Sequence, residues 1–588
     1  MANPESVTAR IKRLKKAFEN DDFTVHKGGI IQCGDPGAER VGMVATHKSA
    51  TNYQTKEPKR AYYVEGAPYE MGYLMGRLAE PDIDVMTEQF IDNVILSMLH
   101  SVTNAESKKG KQEREQLLDT HKILIGVLRS MIRRRGMQKD ASPELKQELN
   151  GIYDGCKDAA HFENRTTKVK KNELWVLNMG LDLLLSIVYT GEIRSHVPLS
   201  VRHWRMPVAC NAFALLNAAT KATKDHKGPF FGRDFMFSTG KVFQNVACHV
   251  IYNPVSKKGS ALSLPVVSMT APGFVGSIAA MNSEGVAAGV DMIPAANCTS
   301  AEPGMNSLLM VRDCIERGAT LEDAKNRIIN AQRGVSWDYI LAAAGEEKGE
   351  DSACVVEAGA TMEKIPFRSY VQQVRMSLRA LLPKAAYINK HRSDTDTRGV
   401  MVRWPGDVPA LDKYIKKFNR SLWAYFKKTL YPDAFDDRGY INKTPEERNC
   451  PETYYFAPER MGNKDVILAT NHWIHPELRL CGMKTWTNNF AKDHMNDVQW
   501  RYDELNFRIK ATLDNGPITY AQARKLIDYL NPKEFPEYHK DNDKSEDGSQ
   551  LVINGSVSLF DLGERSVESH YGYYKDEWVR IQLKNYLN

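Results

Sequence analysis

The sequence lacks long apolar runs, and this absence limits where the chain can reside. No segment supplies the roughly eighteen uninterrupted apolar residues that a membrane-spanning helix needs. The first thirty residues also lack the apolar stretch of a secretory signal peptide. We therefore expect a cytoplasmic protein that has no membrane partner.

Charge of one sign is not concentrated anywhere in the sequence. Lysine and arginine number 79 and aspartate and glutamate 73, which leaves a formal net charge of +6. The excess is dispersed and does not form a basic run with interleaved aromatic residues, so nucleic-acid binding is not expected. A hydrophobic fraction of 42% and a charged fraction of 26% are typical of a globular protein with a large core.

Cysteines and histidines are not spaced like metal ligands or a disulfide framework. The nine cysteines are an odd number spread through a long chain, which indicates reduced thiols. His203, His249, His472 and His494 show no metal-ligand spacing. The glycines form no phosphate-binding fingerprint. We expect neither a metal nor a cofactor, and the sequence leaves assembly into a homo-oligomer open.

The periodicity of the sequence changes near residue 210. Residues 66–190 space their apolar positions three and four apart, which predicts helices, and Ser142 is a plausible helix start. From Cys210 onward, short β-rich runs are separated by turn residues. We therefore divide the chain into a mainly helical N-terminal segment, residues 1–209, and a catalytic core, residues 210–588, whose sheet begins at Cys210.

The core predicts an α+β fold. The expected strands are NAFALLNA, VFQNVACHVIY, ALSLPVVSM, FVGSIAAMN, GVAAGVDMI, YILAAAG, ACVVEAG, VILATN and a closing hairpin in LVINGSVSLFDLGERSVESHYG. Helices are expected in MNSLLMVRDCIERG, in LEDAKNRIINAQ and at about 497–530. The stretch at about 367–465 lacks the residue pattern of strands, and we predict that it is an irregular insertion. The segment before the hairpin, PKEFPEYHKDNDKSEDGSQ, reads as a loop.

Cys210 is the candidate nucleophile because it stands at the start of a predicted strand. If the Ala209–Cys210 peptide bond is cut, the new α-amine lies beside the thiol and can accept its proton. An α-amine with a pKa of about 7.7–8.0 is well matched to a thiol of about 8.5. Arg233, across the predicted hairpin, would favour the thiolate further.

Several motifs resemble those of the autoproteolytic N-terminal-nucleophile (Ntn) hydrolases. The resemblance is to the penicillin-type acyl-CoA acyltransferase branch, the isopenicillin-N acyltransferase-like enzymes, which are related to bile-salt hydrolases and phospholipase-B-like proteins. The similar stretches are Gly66-Ala67-Pro68-Tyr69-Glu70-Met71-Gly72 with Gly76, SPELKQELNGIYDG, Ala280 to Ala287, Ala469-Thr470-Asn471-His472 and Trp500-Arg501-Tyr502. Together they span most of residues 60–570 outside the insertion.

The resemblance implies a four-layer αββα sandwich and a set of roles for individual residues. Cys210 would be the self-processing residue and the catalytic thiol. Asn282 and Asn471 would line the oxyanion hole, where neutral donors stabilise a tetrahedral intermediate. Arg501 is a candidate substrate-binding residue, and Trp337 and Tyr339 are two further candidates. The substrate would be a small acyl amide or acyl thioester.

The sequence departs from the family at one position near the nucleophile. Where many relatives have G-R-N-x-D, this chain has Gly232-Arg233-Asp234-Phe235-Met236, so Met236 occupies the usual carboxylate position. Asp234 would then contact the α-ammonium of Cys210, although strict alternation puts it on the other face of the strand. This departure leaves the substrate class open.

Other interpretations of the same residues remain. Asn282 lies in a Met-Asn-Ser-Glu-Gly turn and could be a turn residue only. Arg233, Asp234 and Arg501 could have structural roles, and a lone cysteine can be a small buried hydrophobe. For the whole chain, the alternatives are a hydrolase or an acyltransferase, a phospholipase-B-like lipid or ester hydrolase, and an unprocessed, non-catalytic binding protein.

Overall fold

The structure is a computed structural model of the 588-residue chain. It describes residues 5–36, 38–100, 121–132, 141–190, 209–237, 239–293, 298, 304–346, 350–361, 399–407, 462–474, 497–531, 533 and 555–587.

An eleven-stranded sheet is the larger of two sheets in the described chain. In order across the sheet, its strands are β1 (Phe23–Thr24), β3 (Arg40–Thr51), β4 (Pro58–Gly66), β7 (Cys248–Pro254), β8 (Val266–Thr270), β9 (Ala279–Asn282), β10 (Val286–Met292), β11 (Trp337–Glu346), β12 (Glu350–Ala358) and β13 (Val400–Arg403), with β2 (Ile30–Cys33) paired to β3. Strands β4 and β7 are parallel, and the other described pairs are antiparallel.

The second sheet has six strands, all antiparallel. Their order is β14 (Val466–Thr470), β5 (Ala209–Leu215), β6 (Phe230–Met236), β15 (Gly555–Asp561), β16 (Ser566–His570) and β17 (Val579–Gln582). Alternate residues of β5 separate into two cores. Ala212 and Ala214 pack toward the larger sheet, and Phe213 and Leu215 pack toward helices on the other face, as the two-residue period of a strand requires.

Helices cover the outer faces of both sheets. They are α1 (Val7–Asn20), α2 (Pro68–His100), α3 (Pro143–Phe162), α4 (Lys171–Thr190), α5 (Val242–Val246), α6 (Ser307–Arg317), α7 (Leu321–Asn330), α8 (Asp497–Leu513) and α9 (Tyr520–Ile527), and residues 121–132 are also helical. Helices α2, α6 and α7 contact the larger sheet, and α8 and α9 contact the smaller one. None of the helices in the described ranges has the length and apolar character that a membrane crossing requires.

The glycines of the first two family-like motifs are explained by the contact between α2 and α3. A Cβ atom added to Gly72 or Gly76 would collide with main-chain oxygens of α3, and one added to Gly151 or Gly155 would collide with main-chain oxygens of α2. The two helices can therefore approach only because both lack side chains at these positions. These motif glycines have a packing role, remote from the residues around Cys210.

The α+β class predicted from the sequence is confirmed, but two details of the prediction are wrong. The sheet does not begin at Cys210, because β1 to β4 precede it and β4 pairs with β7 inside the larger sheet. The run VFQNV forms the short helix α5, and only the residues after it form a strand. The apolar residues of VFQNV stand at 242, 243 and 246, which is the spacing of one helical turn.

The predicted insertion at about 367–465 also needs correction. Strand β13, Val400–Arg403, lies inside it and extends the larger sheet beyond β12. Its short apolar run is bounded by Gly399 and Pro405, which made it look like a loop in the sequence. Residues 367–398 and 408–461 of the insertion lie outside the described residues, as does most of the loop predicted before the closing hairpin.

Candidate active site

Cys210 lies near the start of β5, on the face that is turned toward the larger sheet. Its side chain follows the same alternation as Ala212 and Ala214, and the residue is only 2% exposed. The thiol sulfur is 3.9 Å from the main-chain oxygen of Met236 on the neighbouring strand. The candidate nucleophile is therefore held between the two sheets.

Asn471 and Arg501 hold the main chain of Cys210. The side-chain oxygen of Asn471, just after β14, accepts a 2.7 Å hydrogen bond from the Cys210 main-chain nitrogen. Arg501 donates to that same oxygen at 2.9 Å and to the Cys210 carbonyl oxygen at 2.7 Å. The Asn471 amide group is fixed at its other end, because its nitrogen donates to the Met292 oxygen at 2.9 Å. These buried contacts orient the atom that would become the α-amine.

Arg233 is the cation beside the thiol. It lies on β6 on the same inward face and is fully buried. Burial alone would lower the pKa of its guanidinium, but the negative charge of Asp291 and the contact with Cys210 together raise that pKa above its ordinary value. Nη2 of Arg233 is 3.2 Å from Asp291 Oδ1, on the facing strand β10. Arg233 therefore keeps its charge in the core and can stabilise a Cys210 thiolate.

Gly289 on β10 makes room for this arginine. A Cβ atom at Gly289 would lie 3.0 Å from Cδ and 3.3 Å from Nε of Arg233. A larger side chain would push the guanidinium away from its place between the sheets. The glycine is thus explained by side-chain packing, and its φ angle plays no part.

Asp234 does not contact the nucleophile as the sequence had suggested. It faces the helices on the other side of the smaller sheet, where Oδ2 accepts a 2.8 Å hydrogen bond from the Tyr574 hydroxyl group. Burial raises the pKa of its carboxyl group to about 7, despite the opposing effect of the Tyr574 hydrogen bond. The prediction that Asp234 binds the α-ammonium of Cys210 is therefore wrong, because alternation along β6 places Asp234 on the face opposite to Arg233 and Cys210.

The raised pKa of Asp234 predicts a pH-dependent effect on stability. An aspartate with a pKa of about 7 in the folded state and about 3.9 unfolded binds its proton more tightly when folded. Its contribution to stability is therefore present below pH ~4 and is lost as the pH rises toward 7. We expect Asp234→Asn to raise the melting temperature at pH 8 and to change it little at pH 4. A variant that is equally destabilised at both values would contradict this account.

The side chain of Asn282 uses its hydrogen-bonding groups to close a turn. Its side-chain nitrogen donates to the main-chain oxygens of Ile315 and Gly318, at 2.9 and 2.8 Å. Its oxygen accepts from the main-chain nitrogens of Glu284 and Val286, both at 3.0 Å. Both donors are used by the end of α6, so none is left for an oxyanion. The structure supports the turn-residue interpretation of Asn282.

Trp337 and Tyr339 face away from Cys210. On β11 they flank Asp338, which pairs directly with the inward-facing Asp291, so alternation directs both aromatic rings outward. There they approach Asp182 of α4, which affects the pKa of Tyr339 and is itself close to Trp337. Of the residues predicted from the sequence, the structure brings together Cys210, Arg233, Asn471 and Arg501, and it excludes these two from that group.

Sequence reasoning missed the acidic residues of the site. Asp291, Asp338 and Glu357 each interrupt an otherwise apolar strand, in GVAAGVDMI, WDYILAAAG and ACVVEAG. All three are fully buried. A single acid inside an apolar strand was the signal that could have identified them, because burying an acid without a partner is costly. In the part of the chain that the structure describes, no group of three or more His, Cys, Asp or Glu residues could hold a metal ion.

The chain was compared with family profiles, with other sequences and with solved structures. No protein-family profile matches the chain. A protein of Archaeoglobus fulgidus described as uncharacterised is 27% identical over 527 residues, which cover 89% of this chain and 66% of that protein. The chain thus spans just under two thirds of the length of this relative.

Among solved structures, the chain is similar to the C2A mutant of conjugated bile acid hydrolase from Clostridium perfringens. The match has a TM-score of 0.29 and 10% sequence identity, and it covers 63% of this chain and 92% of that one. A TM-score at this level is too low to assign a fold.

Proposed function

We propose that this protein is a cysteine amidohydrolase or acyltransferase of the Ntn type, with the four-layer αββα architecture and Cys210 as nucleophile. One observation carries the proposal. The thiol and the main-chain nitrogen of the same buried residue contact separate groups: the sulfur lies 3.9 Å from the Met236 oxygen and acts on the pKa of the nearby Arg233, and the nitrogen donates to Asn471. An enzyme that uses both atoms of one residue needs both of them to be positioned. The motif resemblance favours the penicillin-type acyltransferase branch.

Activation begins at the Ala209–Cys210 bond. The thiol sulfur attacks the Ala209 carbonyl carbon, the carbon–nitrogen bond breaks, and the departing nitrogen takes a proton. Water then hydrolyses the resulting thioester, which gives the Ala209 carboxylate, the free thiol and the free α-amine of Cys210. The hydrogen bond from this nitrogen to Asn471 already holds the amine in the place where it must act.

The same atoms then serve the substrate reaction. The α-amine accepts the thiol proton, and the thiolate attacks the carbonyl carbon of an acyl amide. The protonated α-amine returns the proton to the leaving amine, so that an acyl thioester on Cys210 remains. Water releases an acid from this intermediate, whereas an acceptor amine forms a new amide. Hydrolase and acyltransferase differ only in this last step.

A panel of small acyl amides tests the proposal. Amine release should accompany the appearance of an acyl adduct on the fragment that begins at Cys210, measured by mass spectrometry at short times. Phospholipids and simple esters in the same panel separate the amidase from the lipid hydrolase. Phospholipid turnover without amide turnover would overturn the substrate class, and an acyl adduct on any other residue would overturn the mechanism.

We expect the N-terminal fragment to remain bound after cleavage. Strand β4 pairs with β7 across the cleavage point in the sequence, and release would expose the edge of the larger sheet. Helix α1 also contacts the end of the chain, because Arg13 donates to the Tyr586 and Leu587 oxygens. Both fragments should therefore elute together in native size-exclusion chromatography and separate only in denaturant. Elution of a fully active fragment 210–588 without the N-terminal fragment would contradict this.

A further inference from the structure

Three carboxylates form a row across neighbouring strands of the larger sheet. Asp291 of β10 pairs directly with Asp338 of β11, and Asp338 pairs directly with Glu357 of β12. The three side chains therefore share the face that is turned toward the smaller sheet and Cys210. Like charges directly opposite each other on adjacent strands are destabilising. Packing alone therefore does not explain why three buried acids lie side by side on adjacent strands.

Only the two ends of the row have an arginine among the described residues. Arg233 is 3.2 Å from Asp291, and Nε of Arg403 is 3.0 Å from Glu357. The central Asp338 has no ion pair within the described residues, and its carboxyl group interacts there with the neutral Trp473 side chain as a hydrogen-bond donor. It is fully buried between two other acids. The middle of the row thus lacks a cationic partner in this part of the chain.

An unused donor lies beside the same carboxylate. Nη1 of Arg403 is buried and makes no hydrogen bond with the described residues. Burial raises the pKa of the Asp338 carboxyl group well above its ordinary value, and the charge of Arg403 and a hydrogen bond from Trp473 offset this only in part. Buried polar groups are normally satisfied, and a local group of unsatisfied ones indicates a missing partner. A partner that fits here donates hydrogen bonds to the carboxylate oxygens and accepts one from Arg403.

An ammonium group beside a carbonyl or carboxylate oxygen meets both requirements. Its three N–H bonds and positive charge suit Asp338 and Asp291, and the adjacent oxygen suits Arg403. A metal ion fits less well, since no group of acids in the described chain is arranged to coordinate one.

We propose that the row is a subsite for the primary ammonium of an amino-acid-like acyl group, with Asp338 as its main partner. This inference rests on the proposed function, because the row would bind the acyl group whose carbonyl carbon Cys210 attacks. Asp291 links the two, since it pairs with Arg233 beside the thiol and lies next to Asp338 in the row. The substrates are therefore α-amino acid amides.

The test compares α-amino acid p-nitroanilides with matched acyl p-nitroanilides that lack only the amino group. Wild-type enzyme should favour the ammonium-bearing substrates by at least about 10²-fold in kcat/KM, as expected for loss of one partner of a buried charge pair. In Asp338→Asn this ratio should fall toward one. Asp182→Asn is the matched control, because Asp182 is also buried but lies on the outer face of the sheet, and it should keep the wild-type ratio.

The wild-type comparison decides the proposal even if Asp338→Asn does not fold. Equal or better turnover of the neutral anilides by wild-type enzyme would overturn the ammonium subsite and leave the amidase function standing. A ratio that is unchanged in folded Asp338→Asn would also overturn it, and would indicate that the row balances the α-ammonium of Cys210. Absence of turnover with every amide would contradict the proposed function, and this subsite with it.

Discussion

Replacing Cys210 with alanine should abolish both chain cleavage and amide turnover. In the proposed mechanism this sulfur attacks Ala209 and later the substrate, so in the variant the main-chain nitrogen at this position should stay in its peptide bond. We expect a single uncleaved band and a rate at least roughly 10³-fold below wild type. Denaturing electrophoresis and amine release measure the two effects.

Cys314→Ala is the matched control for this experiment. Cys314 is buried in α6, and burial raises the pKa of its thiol well above the ordinary value, which describes an unreactive thiol. This variant should lose some stability through the small cavity that it creates, but it should still be cleaved and active. Turnover by Cys210→Ala at the wild-type rate would remove Cys210 from the mechanism.

Replacing Asn471 with alanine should have the second largest effect. Its oxygen holds the Cys210 nitrogen and accepts from Arg501, so the variant leaves an unoriented amine and a guanidinium that has lost one acceptor. We expect kcat to fall by roughly 10²–10³-fold, as for loss of one positioned polar group at a reacting centre. The pH–rate profile should shift as well, because the α-amine that titrates in it has lost its partner.

Asn282→Ala distinguishes a positioning role from a structural one. Asn282 ends β9, Asn471 follows β14, and both resemble oxyanion residues in sequence. The hydrogen bonds of Asn282, however, all close a turn. Its replacement should lower the free energy of unfolding by about 2–4 kcal/mol, and folded protein should keep a normal pH–rate profile. A wild-type profile in Asn471→Ala together with a shifted one in Asn282→Ala would reverse the two assignments.

Much of the core was predictable because its strands follow a simple period. The runs that became β5, β10, β11 and β12 are apolar and bounded by turn residues, which is sufficient to recognise buried strands. The strands before Cys210 were missed because AYYVEG leads directly into a helical motif. Strand β13 was missed because its four residues stand in a long irregular region, and only its pairing with β12 identifies it.

Site residues could be related to one another from the sequence when they lie on neighbouring strands of one hairpin. They could not be related when their contact depends on how the two sheets pack or on which face of a strand a side chain lies. Cys210 and Arg233 lie on the two strands of one hairpin, so sequence spacing was enough to relate them. Asp291 reaches Arg233 from another sheet, and no spacing in the sequence relates these two residues. Asp234 shows the opposite problem, because it is adjacent to Arg233 in sequence and lies on the other face of the same strand.

N-terminal sequencing of active wild-type protein tests the central claim most directly. The account predicts that the protein carries a chain beginning at Cys210, that amide turnover rises in step with the amount of this chain, and that iodoacetamide labels this cysteine first. Fully active protein in which the nitrogen of Cys210 is still bonded to Ala209 would contradict it.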